Sequence, residues 1–431
     1  MPFETRFPQA RIAVIGGGIS GLAAAHLLAP DHAVVLFEAA DRLGGHAHTV
    51  LAGKRGDQPV DMGFIVFNRV NYPLLTGLFD RLGVPTAPSD MGFGASIQGG
   101  EVEFALKDLN ALFAQRRNLI RPRFLRMLAD ILKFHAKADK VIRPGMTLRD
   151  LLAALNMSDT FRDHYITPFT GAIWSTPTAG VLDFPAEALI RFFVNHGLMG
   201  VTGHHQWETV KGGSIEYVRR VEADLTRQGV EIRLKTPVQS VRRVPQGVLL
   251  RAHGGEWEAF DEVIFASHSD QTLAMLSDAT PHETAALQAI RYQPNEAVLH
   301  ADSAIMPRSR RAWASWTYTE PKGPRAPRID LTYWMNSLQP IPQDDPLFVT
   351  LNPNQRIDPA KVHEVRTFHH PVYDLAALQA QKDIRAFNGT AGTWFCGAWM
   401  KNGFHEDGFG SAVDVVTALR ARRPALVEAA Q

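Results

Sequence analysis

One stretch near the start of the chain limits the fold more than any other. An apolar run, Ile12-Ala13-Val14-Ile15, ends in Gly16, and Gly18 and Gly21 complete G-x-G-x-x-G just as a small-residue helix, ISGLAAAHLL, begins at Ile19 and Ser20. Each glycine has its own task. The first permits a tight turn, the second lets the main chain approach a pyrophosphate, and the third lets the helix pack closely on the strand. The helix start adds amide donors and the positive end of its dipole. A second apolar run from His32 closes on Glu38, where an acid accepts ribose hydroxyls, so the opening reads as a βαβ dinucleotide unit. Ala39 and Ala40 follow Glu38, and no dedicated 2′-phosphate site is evident.

At 431 residues, 45% of them apolar, the chain can bury two or three domains without a covalent staple. One cysteine, Cys396, excludes an intramolecular disulfide framework and fits a reducing cytoplasm. The first ten residues lack a secretory pattern, and no apolar run is long enough for a membrane span. A net charge of +1 argues against a nucleic-acid partner. Residues 205–275 bring a helix and strands that belong with the nucleotide unit, while 296–352 alternate as aromatic-rich strands of an antiparallel sheet. The expected architecture is α/β, a Rossmann-like nucleotide domain with an α+β substrate domain. Residues 10–100, 205–275 and 385–422 form the first domain, and 101–204 and 276–384 the second.

Residues 38–45 read EAADRLGG, and this E-A-x-x-R-x-G-G extension resembles the flavin amine-oxidase and phytoene-desaturase superfamily. The resemblance implies noncovalent FAD, with Arg42, Gly44 and Gly45 wrapping the pyrophosphate and ribityl chain beside Ala39 and His46. It continues through Gly63-Phe64-Ile65, where the family passes beside the isoalloxazine, Thr236-Pro237-Val238 at the adenine, and Ala266 at the end of an apolar strand. Gly397 and the run Gly403-Phe404-His405-Glu406-Asp407-Gly408-Phe409 resemble the C-terminal FAD motif, where a helix start faces the negative side of reduced flavin. The runs NHGLM (195–199), QWETVKGGS (206–214) and GFHEDG (403–408) resemble a bacterial group of NAD/FAD-binding proteins. That likeness implies a methyltransferase partner and desaturation of methylated fatty acyl chains.

Amine oxidases of the superfamily carry a lysine near flavin N5 and a cage tyrosine; here His300 aligns with the first, and Phe404-His405 replaces the second. The expected activity is therefore an FAD-dependent desaturase or oxidase of an acyl C–C bond. A flavin amine oxidase and a non-redox, FAD-bound lipid-binding partner of a methyltransferase are the alternatives. His300, His405 and Glu406 are the candidate proton acceptors. Cys396 reads as core, and Trp174, His196 and Trp207 fit either aromatic core packing or a cavity wall. His46-His48 and His204-His205 lack the spaced partners a metal needs, so no metal is expected. Between Arg116 and Arg143 nine basic residues face two acids within an apolar helical pattern. Residues 109–143 thus suggest an amphipathic surface for an anionic membrane, on a cytoplasmic protein peripheral to the inner membrane face.

Overall fold

The computed structural model describes residues 9–176, 178–200, 205–324 and 328–429. Strand β1 (Arg11–Ile15) leads into helix α1 (Ile19–Leu28) and strand β2 (Ala33–Phe37). With β3 (Glu231–Arg233), β4 (Glu262–Phe265) and β5 (Thr393–Phe395) they build a five-stranded sheet ordered β3-β2-β1-β4-β5, every pair parallel. Parallel strands are buried on both faces, and the apolar runs reflect it. Ile12 and Val14 point into one core with α1 and the C-terminal helix His405–Ala429, while Ala13 and Ile15 point into the core on the opposite face. Each fully buried Ile or Val side chain stabilises the fold by about 2 kcal/mol. Three remote stretches of chain therefore supply one sheet.

The second sheet has seven strands, ordered Val362–Pro371, Tyr292–His300, Phe348–Leu351, Leu331–Trp334, Trp316–Thr319, Phe93–Ile97 and Val102–Ala105. All its pairs are antiparallel except Trp316–Thr319 with Phe93–Ile97. That parallel pairing, with the hairpin to Val102–Ala105, joins residues 93–105 to the seven-stranded sheet. Helix α2 (Pro73–Leu82) packs near the C-terminal helix, and helices α3 (Leu109–Leu112) and α4 (Pro122–Val141) cover the second sheet. Between α3 and α4 the chain makes a 3₁₀ turn at Arg116–Ile120, so the helical pattern of 109–143 resolves into three pieces. Pro122 starts α4 instead of interrupting a longer helix, because a proline in the first helical turn loses no hydrogen bond. Phe124, Met127, Ile131, Phe134 and Ala138 recur at helical spacing on the buried face of α4.

Candidate active site

The turn after β1 is shaped by what a side chain would collide with. Gly16 sits at φ +109°, where a Cβ would lie 2.9 Å from the Ala266 carbonyl oxygen. At Gly21 a Cβ would come 1.8 Å from the Gly16 oxygen, so α1 lies against the turn only with glycine there. The N-cap of α1, Gly18, makes no side-chain capping bond, which leaves the first amides of the helix free for an anion. Gly45 packs its backbone on Gly18, where a Cβ on Gly45 would lie a tight 3.1 Å from the Gly18 Cα. Glu38 is fixed at the end of β2 by accepting hydrogen bonds from the amides of Gly17 (2.6 Å) and Ala40 (2.8 Å).

From this turn a cavity of about 1430 Å³ runs through the molecule. Its first part is walled by Gly16, Gly18, Ile19, Ser20, Glu38, Ala39, Gly44, Gly45, Val238 and Ala266. Its middle is walled by His46, Gly63, Phe64, Ile65, Gly397 and His405. Beyond Phe404 the walls become apolar, with Leu112, Leu128, Ile131, Phe169, Ile173 and Phe192 prominent. Phe404 stacks on Phe192 at 5.0 Å, and Trp174 holds the same corner by donating to the Asn402 carbonyl at 3.1 Å. Trp174, His196 and Trp207 all line the cavity.

A family model described as flavin-containing amine oxidoreductase matches residues 19–302. The chain belongs to the flavin-containing amine oxidoreductase family. A stretch of 75 residues, 17% of this chain, is 39% identical to (S)-6-hydroxynicotine oxidase from Paenarthrobacter nicotinovorans and spans 18% of that enzyme's length. Among solved structures, a CLA-producing fatty acid isomerase from P. acnes superposes with TM-score 0.69 at 18% identity, covering 95% of this chain and 98% of that one. Cyclohexylamine oxidase from Brevibacterium oxydans IH-35A gives 0.66 at 18% identity, over 96% and 100%. At these identities the likeness is one of fold.

The cofactor of this flavin-containing oxidoreductase is FAD, and the cradle fits it. The free amides of α1 would hold the pyrophosphate, Glu38 the ribose, Val238 the adenine, and Gly63 to Ile65 with Gly397 and His405 the isoalloxazine end. Several expected site residues act from behind the wall. Arg42 does not line the cavity: its guanidinium donates to the carbonyls of Ala47 (2.8 Å), Gly45 (2.9 Å) and Leu43 (3.1 Å), so it staples the glycine loop. Gly408 lets the C-terminal helix cross α1, since a Cβ there would lie 2.8 Å from both Ile19 and Ser20 side chains. Asp407 accepts from the Phe404 amide at 3.0 Å, and burial raises its carboxyl to about 6. Phe409 is buried in the core between the sheet and α1.

The three candidate proton acceptors have separate fates. His405 lines the cavity, stacked on Phe64 at 3.7 Å between ring centres, with Nε2 3.1 Å from the Tyr217 hydroxyl. Burial lowers it to about 3, so the ring is neutral at neutral pH. Glu406 caps α2 instead, its two oxygens accepting from the amides of Leu74 (2.8 Å) and Leu75 (3.0 Å). His300 is fully buried in the second sheet and does not line the cavity; Nε2 meets the Thr350 hydroxyl at 2.8 Å, and Nδ1 accepts from the Asp302 amide at 3.1 Å. The slip comes from matching strands by apolar pattern alone, which does not say which residues face a cavity.

Tyr333, Trp316, Tyr292, His268 and Tyr373 also line the cavity, and sequence reasoning assigned them no role. For Trp316 and Tyr333 the signal was the aromatic content of the alternating strands. His46, His268 and His370 gather at one wall, with His46 5.5 Å from His370 and 6.0 Å from His268 between ring centres. Burial lowers His46 and His268 to about 4 and His370 to about 3, so the group presents neutral imidazoles. Among the described residues no set of three or more His, Cys, Asp or Glu side chains is arranged to hold a metal ion. Cys396 is buried outside the cavity lining, and burial pushes its thiol up to about 12.

Proposed function

We propose that this chain is an FAD-dependent desaturase or oxidase that removes hydrogen from adjacent carbons of an acyl chain or similar lipid. The observation that carries this reading is the character of the cavity beyond Phe404. Apart from Glu38 at the ribose end, its acidic or basic lining residues other than histidine are Asp90, Lys107 and Asp108, which are exposed. The remaining inner walls are mostly aliphatic and aromatic, with uncharged polar side chains such as Ser175, Gln206 and Asn402 among them. An ammonium group placed there would lose its hydration with no carboxylate to compensate, whereas an alkyl chain gains by leaving water.

Bound FAD supplies a two-electron acceptor for hydride. The chain's own residues bind and exclude water: Phe404, Phe192 and Trp174 shape the passage, and His405 offers a neutral nitrogen beside it. The second hydrogen would leave as a proton to His405 or to solvent, and the electron pair held by bound FAD would pass to an external acceptor such as dioxygen. The family relationship keeps oxidation of an apolar amine as the second reading.

Anaerobic mixing of the purified yellow protein with fatty acids, phospholipids or primary amines distinguishes these readings. Bleaching of the flavin absorbance by an acyl lipid, with an unsaturated product, is the expected result. Bleaching by amines alone would replace the proposal with the second reading. No bleaching by any of them would leave a non-redox lipid-binding role and overturn both.

A further inference from the structure

We propose that the face built by α3, the 3₁₀ turn and α4 docks on an anionic lipid bilayer, bringing the cavity mouth to the acyl layer. Of the thirteen large apolar side chains exposed among the described residues, six fall between positions 106 and 132: Leu106, Leu109, Leu119, Ile120, Leu125 and Leu132. Ile120 is 82% exposed, and Leu109 and Leu132, at 75% and 59%, also line the cavity. The cavity therefore reaches the surface within the apolar patch. On α4, Leu125, Leu128 and Leu132 repeat at helical spacing and share one side.

Charge decides which partner fits. Arg126, Lys133, Lys137 and Lys140 follow the same helical spacing, displaced from the leucine line by about 100° around the axis. Arg126 is paired with Asp130, but Arg123, Lys133, Lys137, Lys140 and Arg143 have no carboxylate within 4.0 Å among the described residues. Arg117 and Arg121 donate to the Glu101 carbonyl, which fixes the turn and leaves their charge uncompensated. Opposing charge is slight: Asp108 caps α3 by accepting from the Ala111 amide, and Asp139 stands exposed. A leucine-rich patch beside unpaired cations matches a layer that is apolar inside and anionic at its surface. No helix among the described residues is long and apolar enough to cross a membrane, so the contact is with one leaflet. The benefit to turnover rests on the acyl-substrate reading; the docking itself does not.

Holoprotein is sedimented with phosphatidylcholine vesicles and with phosphatidylglycerol-rich vesicles, at low and high salt. Two variants accompany it, Leu119→Ser with Ile120→Ser, and Arg123→Gln with Lys137→Gln and Lys140→Gln; none of these residues lines the cavity. Wild type is expected on phosphatidylglycerol vesicles and to be released by salt, with each variant bound about tenfold or more weakly and its flavin spectrum unchanged. Equal binding of wild type to both vesicle types, absence from both, or undiminished binding of the variants would overturn the proposal. A dimer that dissociates in the Leu119→Ser/Ile120→Ser variant, without vesicle binding, would also overturn it by assigning the face to a second copy. Vesicle binding without acyl-dependent bleaching would uphold docking and remove the substrate reading alone.

Discussion

At His405 two contacts decide what the imidazole can do: Phe64 lies flat against it, and the Tyr217 hydroxyl holds Nε2. Replacing the ring with alanine opens the wall without touching the glycine turn. His405→Ala is expected to slow anaerobic flavin reduction by at least about tenfold while FAD stoichiometry stays near that of the parent. An unchanged reduction rate would make the residue packing only. His300 gives the opposite pattern. Burial lowers it from its ordinary 6.5 to about 4, against a weaker opposing pull from Asp302 and further lowering by His363 and Lys361. The unfolded chain then binds the proton more readily, so stability is complete above pH 6.5 and falls as pH drops toward 4. The loss at this one site amounts to at most about 3 kcal/mol. His300→Gln should flatten that part of the stability curve and leave flavin reduction unaltered. Comparing the two proteins isolates the site from Asp61 and Asp407, whose raised carboxyls act with the opposite sign.

Two helices meet where the cofactor cradle closes. The C-terminal helix crosses α1 at Gly408, against Ile19 and Ser20. Gly408→Val would push the helices apart, costing roughly 1–3 kcal/mol through overpacking, and would displace the amides that face the anion. The expected result is a folded protein purified largely without its yellow colour; full FAD occupancy would sink the assignment. The same elements mark how far the sequence could be read. The glycine turn, Glu38 and the C-terminal motif were legible because backbone constraints repeat wherever this turn is made. Arg42 was read into the right loop, but its contacts with that loop's carbonyls left no mark in the sequence, since a guanidinium serves a carbonyl as readily as a phosphate. The passage beyond Phe404 was largely invisible, because α4 and several remote strands converge on it and periodicity reports which residues are inward, not what they enclose.

Across the whole molecule, the parallel sheet meets the cavity that would hold FAD through Ile15 and Phe37, and no cysteine lines that cavity. Cys396 is off the cavity, and His46 is one of several neutral rings along it. Acid precipitation is therefore expected to leave the flavin in solution; colour in the pellet would direct attention to His46. Removing the cofactor should also lower the melting temperature, since a ligand at about a thousandfold its Kd stabilises the native state by about 4 kcal/mol.

The parallel sheet takes strands from Arg11–Ile15, Glu231–Arg233 and Thr393–Phe395, with Gly397 and His405 following the last of them. During synthesis the glycine turn leaves the ribosome well before its far wall. A nascent chain thus carries its nucleotide signature without a closed pocket until residues 393–405 emerge. Cofactor loading waits for that segment, and a product truncated before it keeps the signature but has no closed site.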